Sequence, residues 1–237
     1  DYKAIGEERL MGKIAKLRQH PRILFSEFGT RRRLSFEWQR FIVETLEREL
    51  PEQLYGTSNV LLAKELGIRP VGTQAHELFM IGSRLFGDLD EDILGSHGKI
   101  LDMWYETLGP EFSTALTDTF GTEFFFRDFG KERAEKWKGM RQDSGHPDVF
   151  ARAQKGFYEK HGLTPEMIKS KFFIPSDGLK TDLILSLDEQ FGDTMTMVPG
   201  WGTDLTNDVG FKPLSIVMKA VSVNGKGTVK LSDNIAK

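Results

Sequence analysis

From about residue 22 onward, short apolar runs alternate with amphipathic stretches. Residues 22–28 (RILFSEF) predict a strand. Residues 35–50 predict a helix, with Trp38, Phe41, Ile42 and Leu46 recurring at helical spacing on one stripe. A second short strand is expected over 68–71 and a helix over 77–86. A long helix over 90–108 turns Ile93, Leu94, Ile100, Leu101, Trp104 and Leu108 inward. Strand-like runs follow at 114–117 and 137–142. Pro147 then opens a helix over 147–161, at a first-turn position where its missing N–H is no loss. Thr164 before Pro165 caps another short helix. Strands at 171–174, 194–198 and 214–221 complete the pattern, and Asn224-Gly225 reads as a hairpin turn. The first 20 residues read as helical, charged and less committed.

Strands alternating with helices predict a parallel sheet with crossover helices. No fixed-period repeat, low-complexity tract or linker-like break interrupts the chain. Gly-rich polar segments follow apolar runs seven times: FGTRR (28–32), YGTSN (55–59), VGTQAHE (71–77), LTDTFGT (116–122), RQDSGHP (141–147), PSDG (175–178) and PGWGTDLT (199–206). Each is placed at the carboxyl end of a strand, ahead of a helix. A parallel barrel gathers all such ends on one face, whereas an open sheet gathers only those near its switch point. Turn chemistry alone accounts for two or three such segments. Seven favour an α/β fold of irregular, TIM-like barrel type.

Composition narrows the class. At 237 residues, with 39% hydrophobic and 28% charged, the chain is an ordinary globular sequence long enough to bury a core. A net charge of -3 gives no field for nucleic acid. No apolar run approaches a membrane span, and no signal-peptide pattern opens the chain. The absence of cysteine excludes disulfides, thiolate metal sites and a cysteine nucleophile. The cytosol is the simplest compartment. The chain starts at Asp1 without Met and stops at Lys237. The expectation is therefore a piece of a longer protein, with 1–21 a helical lead-in and 22–237 a barrel domain.

The loops carry the candidate chemistry. Gly-Thr turns offer backbone N–H groups and a hydroxyl to an anion, and a following helix adds its dipole. Thr57 and Ser58, Thr73, and Gly202 with Thr203 fit phosphate cradles of this kind. None is a Walker motif or a GxGxxG. Arg31, Arg32 and Arg33 follow the first strand, and their forks suit carboxylate or phosphate. A solvated helix start would account for them equally, although cations there oppose the helix dipole. Asp118, Asp143 and Asp177 end three strands, where carboxylates hold ribose hydroxyls or Mg²⁺, or stabilise a cationic sugar. Capping accounts for any single one. Arg141 and Asp143, two apart on a strand, point to one face. His76 opens a helix beside these loops, where an imidazole serves as base or phosphate acceptor. His20, His97 and His161 lack such a neighbourhood. Phe28, at a strand end, is placed to stack on a flat ring or to be buried.

In order and spacing, FGTRRRLSFEWQ, GTSNVLLAKELGIRPVGTQAHE, ALTDTFGTEFFFRDF, GMRQDSGHP, SDGL, GWGTDLTND and FKPLSIVMKAVSVNG…KLSDN resemble the nicotinate phosphoribosyltransferase family, over nearly all of 22–234. The resemblance implies an irregular α/β barrel. It implies transfer of phosphoribose from phosphoribosyl pyrophosphate to nicotinate, assisted by ATP and Mg²⁺, in NAD biosynthesis. On that resemblance His76 is transiently phosphorylated and is catalytic together with Asp143 and Asp177. Phe28 stacks on the pyridine ring, and Arg31 contacts the substrate carboxylate or the nucleotide phosphate. Arg141, Asp143 and Asp177 bind the ribose and diphosphate side. Thr57, Ser58, Thr73, Gly178, Gly202 and Thr203 line the substrate. A homodimer is likewise implied. Three departures stand out: His146 before Pro147, the run Pro199-Gly-Trp-Gly, and a missing amino-terminal region. The alternatives are the nicotinamide enzyme, the quinolinate enzyme, and a non-catalytic ligand-binding chain.

Overall fold

The computed structural model describes residues 2–87 and 90–234, and the side chains of all of these but 90–93. In chain order the elements are α1 (Tyr2–Arg18), β1 (Phe25–Glu27), α2 (Phe36–Glu49), β2 (Leu54–Thr57), α3 (Val60–Leu66), α4 (His76–Phe86) and α5 (Asp90–Leu108). Next come β3 (Thr114–Leu116), α6 (Thr122–Lys136), β4 (Gly139–Gln142), α7 (Pro147–Lys160), α8 (Pro165–Lys169), β5 (Phe172–Pro175) and α9 (Thr181–Phe191). The rest are β6 (Thr196–Met197), β7 (Gly200–Trp201), α10 (Thr203–Thr206), β8 (Ser222–Val223) and β9 (Lys226–Gly227). The chain forms two compact units. One comprises Asp1–Gly72, Ile174–Asp193 and Met197–Ile216; the other comprises Thr73–Phe173, Thr194–Thr196 and Val217–Lys237.

In the first unit β1 is flanked by β2 and β7, parallel to both, with Glu27 opposite Thr57 and Trp201. Helix α1 is fully committed to this unit. It buries Leu10, Ile14 and Leu17, and a Cβ on its Gly6 would lie 2.4 Å from the Trp38 ring. Only glycine lets the two helices approach that closely. Ser35 caps α2 by accepting from Trp38 N at 3.1 Å. Trp38, Ile42 and Leu46 are buried as their spacing requires, while Phe41 lies at the surface, stacked on Trp38 at 5.2 Å. Asn59 caps α3, and Gly67 ends it at a φ of 69° that favours glycine. The strand expected at 68–71 reduces to one parallel bridge, Thr57 to Pro70.

In the second unit β3 and β4 pair in parallel, with Leu116 opposite Arg141, and the sheet continues in the order β3-β4-β5-β6. Phe79, Phe125, Phe129 and Trp137 are fully buried and form its aromatic core. Helix α5 buries Ile100 and Leu101 but leaves Leu94 and Leu108 exposed, because its apolar positions exceed the one face that packs. Ile93 lies outside the described side chains. Residues 214–221 join no sheet, contrary to the strand expected there: Leu214, Met218 and Val221 are exposed. The hairpin β8–β9 forms on Asn224 and Gly225, both at positive φ, as an Asn-Gly turn demands.

The three- and four-stranded sheets are parallel throughout the registers described, and helices lie between most of their successive strands. The fold is mixed α/β. Each of the seven Gly-rich segments lies where a strand or bridge gives way to a helix. Among the described residues, no helix is long and apolar enough to cross a membrane.

Candidate active site

In the second unit three loops meet at His76, the first residue of α4. Its ring is held at both nitrogens: Nδ1 lies 3.0 Å from Thr119 Oγ1 and Nε2 lies 2.9 Å from Asp143 Oδ2. A carboxylate only accepts, so Nε2 carries the hydrogen; in the neutral ring Nδ1 then has a lone pair that the Thr119 hydroxyl can meet. The RxD spacing on β4 works as alternation requires. Arg141 donates to Asp143 Oδ1 at 2.8 Å, and also to Thr73 Oγ1 at 2.8 Å and Gln74 O at 3.3 Å.

Asp118 completes the centre. It is fully buried, and its Oδ2 accepts from Ser144 Oγ at 2.5 Å. Its Oδ1 is buried with no hydrogen-bond partner among the described residues and lies 3.9 Å from His76 Nε2. A buried, unpaired carboxylate oxygen is costly unless something is bound there. Ligand atoms of His76, Asp118 and Asp143 lie within 4.8 Å of one another, and with Nε2 protonated it is the two carboxylates that could hold a cation. The two carboxylates are hard oxygen donors of the kind Mg²⁺ takes.

In the first unit the organising group is a carboxylate absent from the sequence-based candidates. Glu27 lies wholly inside, at the end of β1. It accepts from Gly29 N at 2.6 Å, from Gln39 Nε2 at 3.0 Å on both oxygens, and from Thr57 Oγ1 at 2.5 Å. Burial pushes its carboxyl above the usual range, against the pull of Thr57, Gly29, Gln39 and Arg33. Gln39 also donates to Thr30 Oγ1 at 2.9 Å and accepts from Arg33 and Asn59, each at 2.9 Å. This network fastens the GTRR loop to the GTSN loop, with Thr30 and Ser58 hydroxyls 3.1 Å apart. The signal in the sequence was a lone acidic residue inside an apolar strand run.

The remaining candidates fall as follows. Thr57 is buried, and its hydroxyl is engaged by Glu27 and Asn59 N rather than turned outward. Arg31 is exposed and makes no ion pair among the described residues, whereas Arg33 is used by Gln39. Phe28 sits over Gly200: a Cβ there would lie 3.6 Å from the Phe28 ring. Gly202 and Thr203 open α10, and Asp177 and Gly178 are exposed after β5. All of these belong to the first unit, while Thr73, His76, Arg141 and Asp143 belong to the second. His146 is exposed at the N-cap of α7 and makes no side-chain cap bond.

The profile of the nicotinate phosphoribosyltransferase (NAPRTase) family matches residues 23–237. The chain belongs to the nicotinate phosphoribosyltransferase family. It is 38% identical to a nicotinate phosphoribosyltransferase of Chromobacterium violaceum, over 100% of this chain and 60% of that one. Its fold is similar to the crystal structure of nicotinate phosphoribosyltransferase from Porphyromonas gingivalis, with a TM-score of 0.87 and 32% identity, covering 100% of this chain and 60% of that one. The Vibrio cholerae structure of the same name gives a TM-score of 0.88 at 33% identity, over 97% of this chain and 56% of that one. The chain thus spans about 60% of the length of the relatives it matches.

Proposed function

We propose that this chain carries the machinery for ATP-assisted transfer of phosphoribose from phosphoribosyl pyrophosphate to nicotinate, on an irregular α/β barrel. The observation that carries the reading is the doubly held imidazole of His76 beside the unpaired oxygen of Asp118. With Nε2–H given to Asp143, Nδ1 is the nucleophilic nitrogen. Its lone pair forms a bond to the terminal phosphorus of ATP as the bond from that phosphorus to the bridging oxygen breaks. ADP departs with that electron pair. Asp143 stabilises the cationic ring this creates, and Thr119 holds the nitrogen on line until the phosphoryl group arrives.

Mg²⁺, when bound, would neutralise phosphate charge at this centre, and Asp118 and Asp143 are the residues that would hold it. Arg141 fixes Asp143 and is fixed in turn by Thr73. In the first unit, Phe28 offers an aromatic face to the pyridine ring. Arg31 supplies the guanidinium for a carboxylate, which favours nicotinate over nicotinamide. Asp177, Gly178, Gly202 and Thr203 are assigned to the phosphoribosyl ligand.

The test is incubation with ATP labelled on its terminal phosphate. Acid-labile, base-stable label is expected on the chain and is lost in His76→Ala. Its discharge is expected to need nicotinate and phosphoribosyl pyrophosphate together, with nicotinamide inert. A folded chain that takes no label, or labels equally in His76→Ala, sinks this reading.

A further inference from the structure

Residues 230–234 (KLSDN) have no helix or strand of their own, yet every one of them is tied to the His76 centre of the second unit. Leu231 N donates to Thr119 O at 2.8 Å and Ser232 N to Asp118 O at 3.1 Å. Asp233 N donates to Ser144 Oγ at 2.9 Å. The Asp233 carboxylate accepts from Thr122 N at 2.8 Å and from the Thr122 hydroxyl, capping α6. Asn234 Oδ1 accepts from Gly145 N at 3.0 Å. Ser232 holds a φ of 67°, strained for a residue with a Cβ, and its neighbours' bonds keep it there. The segment thus clamps the loop after β3 and the loop after β4 in one geometry.

Its first residue brings a lysine ammonium to the centre. Lys230 Nζ lies 3.7 Å from Asp118 Oδ2, and its side chain is 22% exposed. The guanidinium of Arg141, by contrast, is committed to Thr73, Gln74 and Asp143. An anion reaching His76 enters beside two carboxylates and needs positive charge that can move to it. A lysine on a flexible stem, loosely held by one carboxylate oxygen, provides that.

We infer that Lys230 is an anion-binding residue of the His76 centre, meeting the oxygens of a polyphosphate there, and that residues 231–234 serve to place it. The choice of a polyphosphate rests on the proposed phosphoryl transfer to His76. The test is an NMR titration of the whole chain with inorganic pyrophosphate, read on the His76 imidazole signals so that anions bound elsewhere are not counted. Lys230→Met is expected to weaken this binding roughly tenfold, and Lys230→Arg to restore it to within about threefold. Melting curves check that each variant folds. Should the Met variant unfold, Lys230→Gln carries the same comparison.

Affinity within about twofold of the parent in Lys230→Met overturns the inference, and so does a parent chain whose His76 signals ignore pyrophosphate. The labelling experiment with ATP separates the two proposals. Lys230-dependent pyrophosphate binding without label on His76 keeps the anion site and discards the phosphohistidine. Label with Lys230-independent binding does the reverse.

Discussion

Replacing Gln39 with Leu tests the idea that a buried carboxylate holds the two Gly-Thr loops of the first unit. Leu fills nearly the same space, so the cavity contribution is small. What it removes is polar. Gln39 supplies two contacts to Glu27 and one to Thr30, and accepts from Arg33 and Asn59. Hydrogen bonds to a charged group contribute about 1.5–3 kcal/mol, and each buried group left unpaired costs about 1–3 kcal/mol. The expected loss at neutral pH is about 5 kcal/mol, a large share of the roughly 5–15 kcal/mol that holds a domain together.

The same variant carries a pH signature. Burial raises the Glu27 carboxyl, while Gln39 pulls it back down. A carboxyl raised in the folded state contributes stability that is fully present below its unfolded value and is lost as pH rises through the folded value. Without Gln39 that folded value climbs further, so the variant loses more at neutral pH than in acid. Urea unfolding followed by circular dichroism, from about pH 5 to about pH 8, measures this directly. The cost of Gln39→Leu should shrink steadily on acidification. A loss below about 1 kcal/mol, or one that is flat across the range, would refute the reasoning.

Two further substitutions probe other parts of the fold. Lys171 is nearly inaccessible, and its Nζ donates to Glu135 O and Trp137 O, each at 2.7 Å, closing the carboxyl end of α6. Lys171→Met keeps the stem and strands both carbonyls, so a loss of about 2–3 kcal/mol is expected in urea unfolding; no measurable change would remove this cap from the account. Gly29 has ordinary negative φ, but a Cβ there would lie 2.0 Å from Thr206 Oγ1. Gly29→Ala should therefore destabilise by about 1–3 kcal/mol through crowding alone, and much of that should vanish when paired with Thr206→Gly. Additivity of the two changes to within about 0.5 kcal/mol would rule the contact out.

The legible parts of the sequence were those decided by local physics. Helices α2 and α5 follow from periodicity, with Ser35 capping α2 and Pro147 opening α7, and the turn at Asn224-Gly225 follows from the φ it requires. Residues 214–221 show the limit: an apolar, strand-like run makes a strand only where a ladder receives it, and that is a fact of tertiary structure. The same limit governs the site. Asp118, Asp143 and Asp177 looked alike as strand-end acids. The fold gives the His76 centre the first two and sets Asp177 in the other unit. Lys230 and Asn234 lie too far along the chain from the loops they touch for any spacing rule to connect them.

Glu27 changes what the Gly-Thr motifs mean. Their hydroxyls read as anion donors, but Thr57 is given to Glu27, and Thr30 is taken by Gln39 and Ser58. A hydroxyl already bonded to a buried carboxylate cannot turn to a phosphate without exposing that charge, which costs more than the contact returns. In FGTRR and GTSN the threonines therefore set loop shape. On the proposed function, recognition of an anion in the first unit falls to backbone N–H groups and to Arg31, exposed and without an ion pair among the described residues. A threonine-to-valine change at position 57 thus belongs with Gln39→Leu, as a perturbation of the loop, while on the proposed function a change at Arg31 is expected to alter ligand affinity alone.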